Sequence, residues 1–455
     1  MELKNKKVLV LGLGATGLSL LKFLQKEQAI VAGFDTHLSD VQAKQIHDAS
    51  PDTPLYSGVL ANVLQQNNFD ILALSPGVPS TLPEIVQFKI QGKPVVGDVE
   101  IFAQKIKQTD SKVIAITGSN GKTTVTSLVG FLCEQLGLKT VVAGNIGLPV
   151  LDAWTMNEHT LPDVWVLELS SFQLDTTTSL NATAATVLNI SEDHLERYTD
   201  LLEYAYSKSH IFGANSVQVL NLDDLLCRAM ARPNHRTIWF SLQKKTDFWV
   251  DITENNLPIL KQDQVCVSFN DLPLQGLHNA ANILVALALC EAIGLPLTKL
   301  IAQLPAFKGL PHRVEKIGEK DGVIFIDDSK GTNVGATCAA LAGFHQPIVL
   351  IAGGLGKGQN FTPLRDALVN KARALVLIGQ DAKIIESACQ NLPIPIIHCQ
   401  TLEDATRIAF DQAHSGDIVL LSPACASLDM FTGYAHRAQV FIDGFSELIN
   451  NHVTQ

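Results

Sequence analysis

The stretch KVIAITGSNGKTT, residues 112–124, decides how the chain folds and what it can hold. Val113 to Ile116 form an unbroken apolar run, the pattern of a strand covered on both faces of a parallel sheet. The run Gly118-Ser119-Asn120-Gly121-Lys122-Thr123-Thr124 then turns the chain into a helical pattern from Val125. Strand, glycine-rich turn and helix in that order make a phosphate cradle. Gly118 and Gly121 permit the tight turn, and backbone N–H groups at the helix start face the phosphates. Lys122 supplies a cation for the β- and γ-phosphates, and the Thr123 hydroxyl suits Mg²⁺. The loop is one or two residues shorter than the usual G-x-x-x-x-G-K-[ST] spacing. A plain glycine turn beside a solvated lysine is the alternative, and the flanking strand and helix argue against it.

Outward from this stretch, short apolar runs alternate with helical patterns in three blocks, the signature of α/β architecture. The first block has strand patterns at 7–14, 30–35, 70–77 and 95–97. The second has them at 112–118, 164–168 and 184–189, and closes with a helix over 279–293. The third has them at 323–327, 348–352, 374–379 and 417–422. Divisions are expected near 101/102 and 309/310, where Gly309-Leu310-Pro311 punctuates the chain. The segment 233–273 carries only short strand-like pieces and is not assigned.

With 455 residues, 46% of them apolar and 17% charged, the chain can fill several cores and is not disordered, collagenous or coiled-coil. A net charge of −11 disfavours a nucleic-acid partner, although a local basic pocket for an anion remains compatible with it. Eight cysteines without a C-x-x-C pair read as reduced thiols rather than a zinc site or disulfide frame. No apolar run approaches the ~18 residues of a membrane span, and no cleavable leader is evident. A cytoplasmic protein is expected.

Several further positions carry chemistry. Gly12-x-Gly14-x-x-Gly17 follows a strand and has Asp35 at the end of the next, a pattern shared by dinucleotide sites and by close-packed α/β turns. Glu168 and His194 stand at the C-terminal ends of strand patterns, where parallel sheets build their sites. Beside a loop that needs Mg²⁺ they are candidate ligands. Lys208 would ordinarily read as a surface lysine. His278, Asn279 and Asn282 open a helix, where they serve either as caps or as readers of an adenine edge. Arg313 and Lys330, with Asp328 nearby, could reach back to a phosphate from the third block. The loops Gly353–Gly358 and Ser422–Ser427 join one cation to small residues whose free N–H groups would suit a carboxylate. Cys425 has no histidine placed to activate it and reads as packing.

Together G-S-N-G-K-T-T, L-E-L-S-S-F-Q-L, E-D-H-L-E-R-Y, G-L-H-N-A-A-N, G-L-P-H-R-V-E, D-D-S-K-G-T-N and L-S-P-A-C-A-S-L-D resemble the Mur ligases over essentially the whole chain. The run S-P-A-C-A-S-L-D and the early G-L-G-A-T-G narrow the likeness to the branch that adds D-glutamate. The resemblance implies a Rossmann-like uridine-nucleotide domain (1–101), a P-loop-type central ATPase domain with a mainly parallel sheet (102–309) and a Rossmann-like amino-acid domain (310–455). It implies ATP with two Mg²⁺ ions, and amide formation between UDP-N-acetylmuramoyl-L-alanine and D-glutamate by a monomer.

Carried over residue by residue, Thr16, Asp35, Thr36, Gly77, Asn145 and His194 would hold the uridine-linked sugar. The loop Gly118–Thr124 with Asn279, Asn282, Arg313 and Asp328 would hold ATP. Thr123, Glu168, His194 and Lys208, the last if carbamylated, would serve magnesium, with Lys122 and Lys330 at the reacting phosphate. Thr332, Lys357, Ser427 and Tyr434 would hold glutamate. Three positions depart from the family pattern: His37 replaces a familiar arginine, Leu355 an acidic residue and Tyr434 a phenylalanine. Competing readings are a folylpolyglutamate-type or other Mur-type ligase, a nicotinamide-dependent oxidoreductase, and a non-catalytic nucleotide-binding module.

Overall fold

The computed structural model describes residues 1–450 apart from 195, 196, 275 and 345. Leu195 and Glu196 of the E-D-H-L-E-R-Y motif thus lie outside the described residues. Strands β1 (Lys7–Leu11), β2 (Ile30–Asp35), β3 (Leu55–Ser57), β4 (Ile71–Leu74) and β5 (Val95–Gly97) form a parallel sheet in the order β3-β2-β1-β4-β5. A second sheet holds β6 (Lys112–Thr117), β7 (Thr140–Gly144), β8 (Val164–Glu168), β9 (Ala184–Val187), β10 (Val217–Asn221), β11 (Thr237–Ser241), β12 (Phe248–Val250), β13 (Pro258–Lys261) and β14 (Gln264–Ser268). Its order is β14-β13-β12-β11-β10-β9-β6-β8-β7. The third holds β15 (Glu315–Lys320), β16 (Val323–Asp327), β17 (Ile348–Gly353), β18 (Ala372–Ile378), β19 (Ile396–His398) and β20 (Ile418–Leu421), ordered β15-β16-β20-β17-β18-β19.

Strands β4, β8, β9 and β20 are buried along their whole length, which is why they read as unbroken apolar runs. The unassigned segment 233–273 becomes β11 to β14. The first two extend the parallel sheet, and β13 and β14 close its edge as antiparallel strands. β14 has no fully buried residue, so little apolar patterning marks it. Gly12 takes φ +81°, and a Cβ on Gly17 would fall onto the Gly12 carbonyl oxygen, which accepts from Ser75 Oγ at 2.7 Å. These glycines serve close packing of turn against helix.

The phosphate loop lies where the strand order reverses, because β6 has β8 on one side and β9 on the other. The helix after it is Lys122–Gln135, so it begins at the lysine itself and not at Val125. His194 stands seven residues past β9, in a loop with φ +57°, rather than at a strand end.

The two joints between sheets differ in kind. One apolar cluster runs from Val8 and Leu20 through Phe102 to Trp165 and Leu220, fusing the first and second sheets. Phe102, on the helix Asp98–Ile106, meets Trp165 edge-on at 5.0 Å and Trp154 at 5.8 Å. That helix runs through the 101/102 division. The third sheet keeps its own cores, and among the described residues no apolar cluster joins it to the second. It meets the second along helix Val334–Ala342, where a Cβ on Gly343 would stand 3.0 Å from the Gly276 Cα.

Asp98, at the fused joint, is 1% exposed, and among the described residues its carboxylate reaches no donor in full hydrogen-bonding geometry. Burial pushes its pKa up to about 6, only partly offset by the nearby Val99 N–H and Gln173 amide. A folded pKa above the unfolded one means that stability from this group is present at low pH and lost as pH rises through about 6. Its ionised form costs roughly 3 kcal/mol at neutral pH. Asp98→Asn is therefore expected to raise the Tm at pH 7.5, with the gain shrinking toward pH 4. A lower Tm at both pH values would contradict this.

Candidate active site

The phosphate loop is built by its neighbours as much as by its own glycines. Ser119 N–H donates to the Asn189 carbonyl at 2.9 Å, and Asn120 N–H to Asn189 Oδ1 at 2.9 Å. Asn189 Nδ2 returns to the Asn120 carbonyl at 3.1 Å, while Ser119 Oγ donates to the Ser191 carbonyl at 3.0 Å. The loop is thus clamped to the segment after β9. Gly121 takes φ +85°, and a Cβ there would come within 2.8 Å of Asn282 Oδ1. Lys122 Nζ arches back to the Gly118 and Ser119 carbonyls at 2.8 and 3.0 Å.

Two adjoining cavities open around this loop and share Asn120, Gly121, Arg313 and Lys330 in their walls. The smaller, about 240 Å³, is lined by Leu188, Phe240 and Val285 with the amides of Asn279 and Asn282 and the carboxylate of Asp328. Apolar faces with a few amides suit a flat heterocycle. Asn282 Nδ2 donates to Asn279 Oδ1 at 3.0 Å, so the two amides orient one another. His278 also lines it, but burial lowers its pKa to about 4, only partly offset by the nearby Ala339 backbone of the third domain. The larger cavity, about 700 Å³, is lined by Lys122, Thr123, Asn145, Glu168, Asp193, Thr332 and Tyr434.

Cations dominate here. Lys122, Arg313 and Lys330 are half-buried and Lys208 is 1% exposed. Burial lowers the pKa of all four, and they lower one another further: Arg313 acts on Lys122, Lys122 on Lys208, and both Arg313 and Lys122 on Lys330. Lys330 comes down to about 8. Burial pushes Asp328 up to about 7, against hydrogen bonding from Ser422 and the nearby Arg313 charge. Glu168 and Asp193 attract the lysines. Such a site is incomplete without a multiply charged anion.

Glu168 ends β8 at 2% exposure; Oε1 accepts from Asn145 Nδ2 at 2.9 Å, and the buried Oε2 has no hydrogen-bond partner among the described residues. An orphaned carboxylate oxygen facing a cavity that also exposes the Thr123 hydroxyl fits a hard divalent cation. Lys208 is not a surface lysine: its Nζ lies 3.4 Å from Thr117 Oγ1 and 4.5 Å from the centre of the Tyr204 ring. His194 lies beside Asp193 at 3.7 Å, with Phe172 at 4.8 Å.

Other expected residues lie apart from the two cavities. Thr16, Asp35 and Thr36 stand at the C-terminal edge of the first sheet. Asp35 accepts from the Leu13 N–H at 2.8 Å and the His37 N–H at 3.2 Å. Gly77 is tied to the central unit, because Arg197 donates to its carbonyl at 2.9 Å while lying 4.3 Å over the Phe172 ring. Lys357 is exposed and Ser427 buried, and neither is among the lining residues of the two cavities. The small-residue loops do not offer a row of free donors. Leu355 and Ala426 exchange backbone bonds at 2.9 Å, Gly353 N–H goes to the Pro423 carbonyl and Ala424 N–H to that of Gly331. Burial pushes the Cys425 thiol up to about 12, which makes it inert.

Sequence reading missed Asp193, whose signal was its place beside His194. It also missed Asn189, Ser191 and Asn333, which act across the fold and carry no local pattern. Arg437, 1% exposed, donates to the Cys425 carbonyl at 3.1 Å and the Ser329 carbonyl at 2.8 Å. It thereby ties together the two loops that carry Ser427 and Lys330.

Family models match almost end to end: a Mur ligase MurD-like N-terminal domain over 6–97, the Mur ligase middle domain over 116–290 and the Mur ligase glutamate ligase domain over 312–425. The chain belongs to the Mur ligase family. A UDP-N-acetylmuramoylalanine--D-glutamate ligase of Chromobacterium violaceum is 54% identical, covering 97% of this chain and 98% of its own. Another protein of that name, from Methylobacillus flagellatus, is 47% identical over the full length of both. Among solved structures, the MurF ligase of Thermotoga maritima in complex with ADP superposes with TM-score 0.63 at 15% identity, covering 99% of this chain and 100% of that one. The Thermotoga maritima MurC ligase gives 0.59 at 19%, covering 97% and 99%. These two establish the Mur ligase three-domain fold. A Mur-type first domain also displaces the nicotinamide reading of Gly12, Gly14 and Gly17.

The loop geometry gives a direct test. Gly121→Ala adds backbone strain of ~1 kcal/mol and a collision with Asn282, and ATP binding is expected to weaken by about tenfold or more. Gly58→Ala, at φ +92° in open space, carries the strain without the collision and is expected to leave ATP binding unchanged. Equal titration curves for the two variants would contradict this account of the loop.

Proposed function

We infer that the chain is an ATP-dependent amide ligase that joins D-glutamate to UDP-N-acetylmuramoyl-L-alanine. The convergence of Arg313 and Lys330 on the wall shared by the two cavities, with Lys122 lining the larger one beside them, carries the reading. One cavity suits a nucleoside base and the other a phosphate chain beside a second anion. Full-length relatives named for this reaction supply the substrates.

In this reading the L-alanyl carboxylate attacks the γ-phosphorus of ATP, and ADP leaves. The amine of D-glutamate then attacks the acyl phosphate carbonyl, and phosphate departs from the tetrahedral intermediate. Both partners of the first step are anions, so charge neutralisation is the largest demand. Lys122 of the second domain and Lys330 of the third, which both line the larger cavity, meet it at the γ-phosphate. Arg313, beside Asp328, serves the rest of the phosphate chain. Asn279 and Asn282 orient the adenine.

Thr123, Glu168 and His194 would hold magnesium, with Lys208 joining them if carbamylated, and two ions fit the number of donors. Bound there, Mg²⁺ would supply further charge neutralisation on the phosphoryl oxygens. Thr16, Asp35, Thr36, Gly77, Asn145 and His194 are assigned to the uridine-linked sugar. Thr332, Lys357, Ser427 and Tyr434 are assigned to glutamate. The domains are taken as 1–101, 102–309 and 310–455, in a monomeric cytoplasmic enzyme.

Phosphate release by the purified protein, with ATP and Mg²⁺, tests this. Release is expected only when UDP-N-acetylmuramoyl-L-alanine and D-glutamate are both present, and not with L-glutamate. Lys122→Ala and Glu168→Ala are expected to keep the wild-type circular dichroism spectrum and lose at least ~10²–10³ in rate. Release with a different amino acid would move the enzyme within its family, and wild-type turnover in either variant would contradict the roles assigned.

A further inference from the structure

The third domain touches the phosphate loop itself through one pair of side chains 213 residues apart. Asn333 Nδ2 donates to Asn120 Oδ1 at 3.0 Å, and Asn120 Nδ2 donates to Asn333 Oδ1 at 3.2 Å. Two planar amides that exchange both bonds fix distance and orientation together, as a single hydrogen bond does not. Asn120 Nδ2 is also 3.2 Å from Ser191 Oγ, and the Asn120 main chain is locked by Asn189, so its side chain is held at a defined point. Asn333 is 5% exposed and caps helix Val334–Ala342, its Oδ1 accepting from the Ala336 N–H at 2.9 Å. The next turn is equally close, since a Cβ on Gly335 would meet Ser191 Oγ at 2.8 Å.

We propose that Asn333 is a positioning residue. Its reciprocal amide pair with Asn120 sets where the third domain stands on the occupied phosphate loop, and hence where Lys330 and Thr332 stand over the cleft. This rests on the function proposed above. The connection is short: Thr332 precedes Asn333 directly, and Lys330 N–H donates to the His312 carbonyl at 3.2 Å, tying that strand end to the interdomain segment. No apolar cluster shared with the second domain does this work among the described residues. The far end of the same helix rests on Gly276 and on the ring of His278 beside the smaller cavity. One helix therefore spans both nucleotide cavities, with the amide pair registering its phosphate end.

A double-mutant cycle on Asn120→Ser and Asn333→Ser tests the proposal. Serine at 333 keeps the helix cap but is too short to reach the loop. Asn333→Ser is expected to lower kcat about tenfold at saturating substrates, to leave the KM for ATP within about twofold, and to leave the Tm unchanged. The double variant is expected to be no slower than the slower single, because either change already breaks the pair. Unchanged kcat in Asn333→Ser, or losses that multiply in the double, would overturn the proposal. If Asn333→Ser does not fold, Asn333→Asp, which keeps the cap and loses the donor to Asn120, takes its place with the same expectation. Wild-type turnover reports separately on the proposed function. If the wild type released no phosphate, that function would fall, and small-angle scattering would still decide this point. Asn333→Ser would then have to show a larger radius of gyration than wild type, and equal radii would overturn the pair's role.

Discussion

Four cations drawn away from water around one space set the terms for everything else in this molecule. Burial depresses the pKa of Lys122, Lys208, Arg313 and Lys330, and neighbouring cations depress three of them further: Arg313 acts on Lys122, Lys122 on Lys208, and both Arg313 and Lys122 on Lys330. Glu168 and Asp193 answer only part of that charge. The arrangement becomes favourable when a polyanion enters, because each cation then regains a partner in a medium where the pairing is strong. The fold can be read as the means of holding these groups together: the strand reversal at β6 places Lys122, the end of β8 places Glu168, and the end of β16 places Lys330.

The same constraint explains why the two joints are built differently. The first domain is fused to the second through Phe102, Trp154 and Trp165, an apolar contact that resists sliding. The third domain supplies two of the four cations, and before ligand arrives its approach brings like charges together. A large apolar seal there would hold the cations in place at all times, with no route for substrates. Polar and small-residue contacts at Asn120, Asn333, Gly276 and Gly343 allow the approach to depend on what lies between. On the proposed function, a ligand-dependent approach of this kind would also exclude water from the acyl phosphate, which would otherwise be hydrolysed.

Much of this was legible in the sequence because the parts that matter are local. A buried strand, two glycines and a lysine specify the phosphate loop within thirteen residues. Fully covered strands such as β8 and β20 announce themselves as apolar runs. The edge strand β14 did not, because a strand with no fully buried residue carries little patterning. His194 was expected at a strand end and lies in a loop, since short polar residues after β9 look like a continuing strand until the backbone is seen. The small-residue loops at 353–358 and 422–427 suggested free donors, but backbone pairing between distant segments is invisible in one sequence. Lys208 shows the same limit: nothing in Tyr206-Ser207-Lys208-Ser209 says that its ammonium points under the phosphate loop.

The central claim is that cations from two domains bring a carboxylate and a γ-phosphate into reaction. It is tested most directly by labelling the L-alanyl carboxylate of UDP-N-acetylmuramoyl-L-alanine with ¹⁸O and analysing the released phosphate by mass spectrometry after turnover with ATP and D-glutamate. Attack by that carboxylate predicts one labelled oxygen in each phosphate released. Phosphate that carries no label, formed at the same rate as the amide, would contradict it.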